Sequence, residues 1–140
     1  MFDLLVLTRS MQLFSHSAHF FVARSIFFQD HAFFSEVYSD AEKYFDMVTE
    51  RMIGLGMEKD LDLQNVLTSV ETKLKKAPST SPKENKEFYV YLMSQVDEGL
   101  ALVEIICKEE GCSQGTIDMI ASIGNDLEVL KYKISRRLKT

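Results

Sequence analysis

The stretch Phe27–Leu55, FFQDHAFFSEVYSDAEKYFDMVTERMIGL, decides the fold. Phe34, Val37, Ala41, Phe45, Val48, Met52 and Leu55 recur at spacings of three or four, so they share one stripe of a long helix. Gly54-Leu55-Gly56 ends it, because glycine accepts the left-handed backbone that a helix C-terminus often adopts. A helix with one apolar stripe must bury that stripe against other elements.

Working outward, the same period runs through the rest of the chain. Residues from about 2 to 22 place Leu4, Leu7, Met11, Phe14 and Ala18 on one stripe. Ala23-Arg24-Ser25 is the plausible break before the next helix, although it holds neither Gly nor Pro. A third helix over about 83–110 carries Phe88, Leu92, Val96, Gly99, Val103 and Ile106, and Gly111 closes it. A fourth, over about 115–138, carries Ile117, Ile120, Gly124, Leu127, Leu130, Ile134 and Leu138. The stretch 57–82 differs: a short amphipathic piece, Leu61–Leu67, precedes Lys73-Leu74-Lys75-Lys76 and the breaker Pro78–Pro82. A linker of that length fits a domain best when it travels the full height of a bundle. The expectation is one all-α domain over residues 1–140. It is a ferritin-like four-helix bundle whose long crossover carries a short extra helix.

Composition narrows the function. Hydrophobic residues make up 46% and charged residues 26%, which separates the chain from disordered sequences. Two prolines and six glycines are too few for a turn-dense β-sandwich or barrel. A net charge of −5 argues against a nucleic-acid footprint, so DNA binding is expected to be weak. No apolar run is long enough to cross a bilayer, and the N-terminus lacks the pattern of a signal peptide. Cys107 and Cys112 are too few for a disulfide scaffold, which suits a reducing cytoplasm. The basic end, from Lys131 to Lys139, is expected to complement a helix C-terminus. Nine of the ten phenylalanines precede residue 46, so the first helical pair is the more apolar, an excess that fits either core or a subunit interface.

The residues suited to metal chemistry cluster in that same half. His16 and His19, three apart, face one side of the first helix, and Asp46 and Glu50, four apart, project together from the second. His31 and Asp46 look in similar directions but lie fifteen residues apart, roughly 22 Å along one helix. They cannot share an ion within one chain. Two copies of this helix packed antiparallel about a twofold axis would bring His31 of one to Asp46 of the other. The composite set of His19, His31, Asp46 and Glu50 offers two imidazoles and two carboxylates, which suits ferrous iron.

The run His19, His31, Tyr38, Asp46, Glu50, Arg51, at its spacings, resembles the signature of the Dps family of mini-ferritins. Gly115-Thr116-Ile117-Asp118 and Leu127–Lys131 are similar to that family's last helix, so the resemblance covers nearly the whole chain. It implies an inter-subunit ferroxidase centre, with His19 and His31 from one subunit and Asp46 and Glu50 from the other. It also implies a homo-oligomer, a dodecameric shell that oxidises Fe(II), stores ferric iron and protects against oxidative damage. Asp118 matches the family's pore region. Three places depart from the pattern: Phe20 stands where the family has Trp, Arg24-Ser25 replaces the glycine of the loop before the second helix, and Ser35, one turn after His31, stands where the family has Asp or Glu. Glu36 is rotated about 100° away from that position. A neutral hydroxyl is a poor ligand for a hard cation, so a second iron position is expected to be weaker. The competing expectation is a shell or interaction protein of the same fold whose ferroxidase activity is weakened or lost.

Overall fold

The computed structural model describes residues 1–140 and contains helices and no strand. The elements in order are α1 (Phe2–Phe21), α2 (Phe27–Gly54), a 3-10 turn (Glu58–Leu61), α3 (Leu63–Leu74), α4 (Lys86–Cys107) and α5 (Gln114–Leu138). No helix is long and apolar enough to cross a membrane. The stripes read from the sequence form the core: Leu4, Leu7, Met11, Phe14 and Ala18 of α1 are buried against Phe34, Val37, Ala41, Val48 and Met52 of α2. Two expected stripe members of α2 are not fully buried. Leu55 falls past the end of α2 and is 49% exposed, and Phe45 sits under the guanidinium of Arg9, 3.7 Å from the ring centroid.

The ends of the helices are set locally. Gly56 takes φ +76, and its N–H and that of Met57 donate to the Ile53 and Met52 carbonyls, a Schellman closure of α2. Asp62 caps α3 by accepting from Asn65 N–H, and Ser113 caps α5 by accepting from Thr116 N–H. Between α1 and α2 the left-handed residue is Arg24 at φ 74, so the turn forms without the glycine it would favour. The extra helix is longer than its apolar pattern suggested. Thr68, Ser69 and Thr72 each donate a hydroxyl proton to the carbonyl four residues back, so the helix continues where polar side chains hide the period.

Long-range bonds give the helix directions. At one end, Asp30 near the start of α2 meets Asn85 and Tyr89 at the start of α4 and Arg137 at the end of α5. At the other end, Arg51 of α2 donates to the Thr116 hydroxyl of α5 at 3.1 Å, and the Cys107 thiol of α4 lies 3.9 Å from the Ile117 carbonyl. Hence α2 and α4 run the same way, α1 and α5 the opposite way, and the stretch from Leu55 to Asn85 spans the bundle's height. The basic end of α5 does more than complement its own helix terminus. Lys131 pairs with Asp97, Lys133 with Glu36 and Arg137 with Asp30.

Asp30 is the buried centre of this arrangement, at 1% exposure. Arg137 donates to both carboxylate oxygens, Nε to Oδ1 at 3.0 Å and Nη2 to Oδ2 at 3.1 Å. Tyr89 adds its hydroxyl at 2.6 Å and Asn85 its amide at 2.9 Å. Burial pushes the Asp30 carboxyl up, but the bonds from Arg137, Tyr89 and Asn85 more than reverse this and hold it below its ordinary value. A carboxyl lowered on folding contributes stability above its unfolded pKa and loses it as pH falls through the folded value. Removing one partner of such a pair strands a buried charge. Arg137→Ala is therefore expected to cost about 3–5 kcal/mol at neutral pH in denaturant unfolding. The deficit should shrink as the solution is acidified and Asp30 takes a proton in the variant; a deficit independent of pH would contradict the assignment.

Candidate metal centre

The clamp on the α1–α2 turn positions the histidines. Asn85 accepts from Ala23 N–H at 3.1 Å and donates to the Ala23 carbonyl at 2.7 Å, so the turn is held at both backbone groups of one residue. The helices leaving that turn are antiparallel, and His19, near the end of α1, comes opposite His31, in the first turns of α2. Their rings stack with centroids 3.6 Å apart and planes 23° apart. Each locks the other. His19 Nδ1 lies 2.8 Å from the His31 carbonyl oxygen, and His31 Nδ1 lies 2.7 Å from the His19 carbonyl oxygen.

A carbonyl oxygen only accepts, so both Nδ1 atoms carry protons. In the neutral imidazole the remaining nitrogen, Nε2, then has a free lone pair, which is the form a metal requires. Both histidines are half-buried, so neither is sealed from solvent or a partner surface. Aromatic rings fix the pair from either side: Phe27 stacks on His31 at 4.9 Å, and Tyr38 meets His19 edge-on at 5.4 Å. His16 stacks on Tyr38 at 4.2 Å, with its ring centroid 6.4 Å from that of His19 and no hydrogen bond to its ring nitrogens.

The acidic pair lies elsewhere. Asp46 and Glu50 are exposed on α2, and neither accepts a side-chain hydrogen bond nor joins an ion pair. Because α2 is continuous from Phe27 to Gly54, Asp46 stays roughly 22 Å along it from His31. No three His, Cys, Asp or Glu side chains converge within the chain. Each chain thus holds two separate pairs, the imidazoles of His19 and His31 where α1 meets the start of α2 and the carboxylates of Asp46 and Glu50 farther along α2. Ser35 is half-buried one turn beyond His31, and Glu36 is spent on Lys133 at 3.2 Å. Asp118 is exposed near the start of α5 and accepts from the Gln114 amide at 2.7 Å. Arg51, adjacent to Glu50, serves the fold through Thr116.

Sequence reasoning missed Asp30 and Asn85, which sit beside the histidines and hold their turn. The only signal was an aspartate immediately before His31 on a helix otherwise lined by phenylalanine. Comparison with models of known families, with curated proteins and with solved structures gives no match.

The reciprocal lock has a spectroscopic consequence. Long-range nitrogen–proton NMR spectra above the imidazole titration should show His19 and His31 as the Nδ1–H tautomer. His16, without a ring acceptor, should show the Nε2–H form that free side chains favour. Nε2–H rings at His19 and His31 would contradict the lock and leave Nε2, the nitrogen it frees, unable to bind a metal.

Proposed function

We propose that the chain is a ferritin-like, Dps-like mini-ferritin subunit that oxidises Fe(II) at sites shared between two copies. The observation that carries this reading is the His19–His31 lock, which turns the free nitrogens of two adjacent imidazoles into ready ligands. The unpartnered carboxylates of Asp46 and Glu50 supply the complement from a second copy, reached when two α2 helices lie antiparallel about a twofold axis. Exposed Phe20 (63%) and Phe28 (80%) flank the histidines and give the second copy apolar surface to cover. Two imidazoles with two carboxylates suit Fe(II), the substrate. Two bound Fe(II) ions release two electrons, which reduce one peroxide to two waters with uptake of two protons. The ferric product is stored in the hollow of the assembly, a dodecamer, and Asp118 draws cations toward it. Removing Fe(II) and peroxide together protects the cell, and the cytoplasm is the compartment for that work.

A second reading follows from Ser35, which puts a hydroxyl where a bridging carboxylate would hold another ion. In that reading the chain keeps the shell and has weak ferroxidase activity.

Iron-free protein mixed with Fe(II) and peroxide separates them. Ferric absorbance should rise with particles of shell size in light scattering. His31→Ala and Asp46→Asn should each slow oxidation about tenfold or more, while Ser35→Asp should raise the iron bound per interface and speed oxidation. A stable monomer at micromolar concentration, or His31→Ala as fast as the parent, refutes the shared site. An assembled shell that oxidises iron only after Ser35→Asp supports the second reading.

A further inference from the structure

A cavity of about 610 Å³ opens where the first turns of α1, the crossover helix α3 and the middle of α4 meet. It lies well away from the histidines, since Phe2 and Asp3 at its edge are some 24 Å along α1 from His19. Its size is within the range of small-molecule sites.

The wall has an unusual balance of hydrogen-bonding groups. Thr68, Ser69 and Thr72 send their hydroxyl protons to carbonyls of α3, and Ser94 sends its own to the Tyr91 carbonyl. The Tyr91 hydroxyl donates to the Lys73 carbonyl at 3.2 Å. Each of these five oxygens has spent its proton on backbone, so it has only lone pairs left for a ligand. Gln95 lines the same cavity at 4% exposure, and its Oε1 has no hydrogen-bond partner. A buried amide oxygen left unpaired is costly, and its occurrence asks what normally donates to it.

The charges cancel. Lys73 pairs with Glu98, and exposed Asp3 and Lys76 contribute one charge of each sign. An anion would meet the lone-pair wall, and a polyamine would bring cations to a wall that has no net negative charge to hold them. An uncharged molecule with several hydroxyls satisfies both conditions. Its protons would go to Asp3 and the spent hydroxyls, and its oxygens would accept from Lys76 and the Gln95 amide nitrogen; Gln95 Oε1 is enclosed and joins only if its side chain turns toward the ligand. The faces of Phe2 and Tyr91 offer apolar surface for its C–H groups.

We propose that this cavity is a binding site for a neutral polyhydroxylated molecule of sugar size, independent of the iron site. The test is an NMR titration of the whole protein with glucose, maltose and myo-inositol at millimolar concentrations. At least one should shift the Gln95 side-chain amide and the Tyr91 ring in a saturable way. Gln95→Leu, close in volume, should weaken binding about tenfold or more. Lys76→Ala, at an exposed position with no part in the fold, should also weaken it and serves if the first variant is unstable. Iron oxidation should be unchanged in both, so failure here leaves the iron reading standing and the reverse holds as well. No saturable shift from any of the three would overturn the proposal, leaving water as the donor to Gln95. Binding of spermidine or inorganic phosphate instead, or binding indifferent to both substitutions, would overturn it equally.

Discussion

The buried Asp30–Arg137 pair is the interaction on which the bundle's geometry depends. Three chain segments that are far apart in sequence converge on one carboxylate: the first turn of α2, the two polar side chains opening α4 and the last turn of α5. An ionised carboxylate in an apolar interior is tolerated only when its lone pairs are filled, and here four donors fill them. Burial, with the hydrogen bond to Asp30, pushes the Tyr89 phenol up, so it stays a donor throughout the physiological range. Because each donor comes from a different direction, the carboxylate acts as a registry pin and fixes which helix ends meet.

Registry at that end carries over to the histidines. Asn85, one of the donors to Asp30, also holds the N–H and the carbonyl of Ala23, and Asp30 is the residue before His31. The α1–α2 turn is therefore tied to the same pin, although Arg24 adopts the left-handed backbone that costs a non-glycine residue about 1–2 kcal/mol. With the turn fixed, the two imidazoles stack and exchange bonds with each other's backbone carbonyls. Neither histidine could hold this orientation alone, since each supplies the acceptor for the other.

The helices were legible because their apolar residues keep a period near 3.6 over many turns, and burial of that stripe is what stabilises them. The start of α2 was harder to place, since Arg24 does a glycine's work there. The length of α3 was hidden by hydroxyls that bond along its own backbone in place of an apolar stripe. At the site, the spacing of His19, His31, Asp46 and Glu50 could be read directly, and so could the separation of the two half-sets, because helical rise converts count into distance. The Asp30–Arg137 pair could not be read, because its members are 107 residues apart and one arginine in a basic C-terminal run has many possible partners. The histidine lock was equally hidden, since its acceptors are backbone carbonyls that carry no side-chain signature.

The central claim is that imidazoles from one chain and carboxylates from another build one centre. Subunit complementation tests it most directly. Chains carrying His19→Ala and His31→Ala, and chains carrying Asp46→Asn and Glu50→Gln, should each be nearly inactive in iron oxidation. Unfolded together and reassembled, they should regain about a quarter of the parent rate, because half of randomly formed twofold interfaces are hybrid and each hybrid restores one of its two centres. Activity no greater in the mixed assembly than in either parent variant would contradict the shared centre.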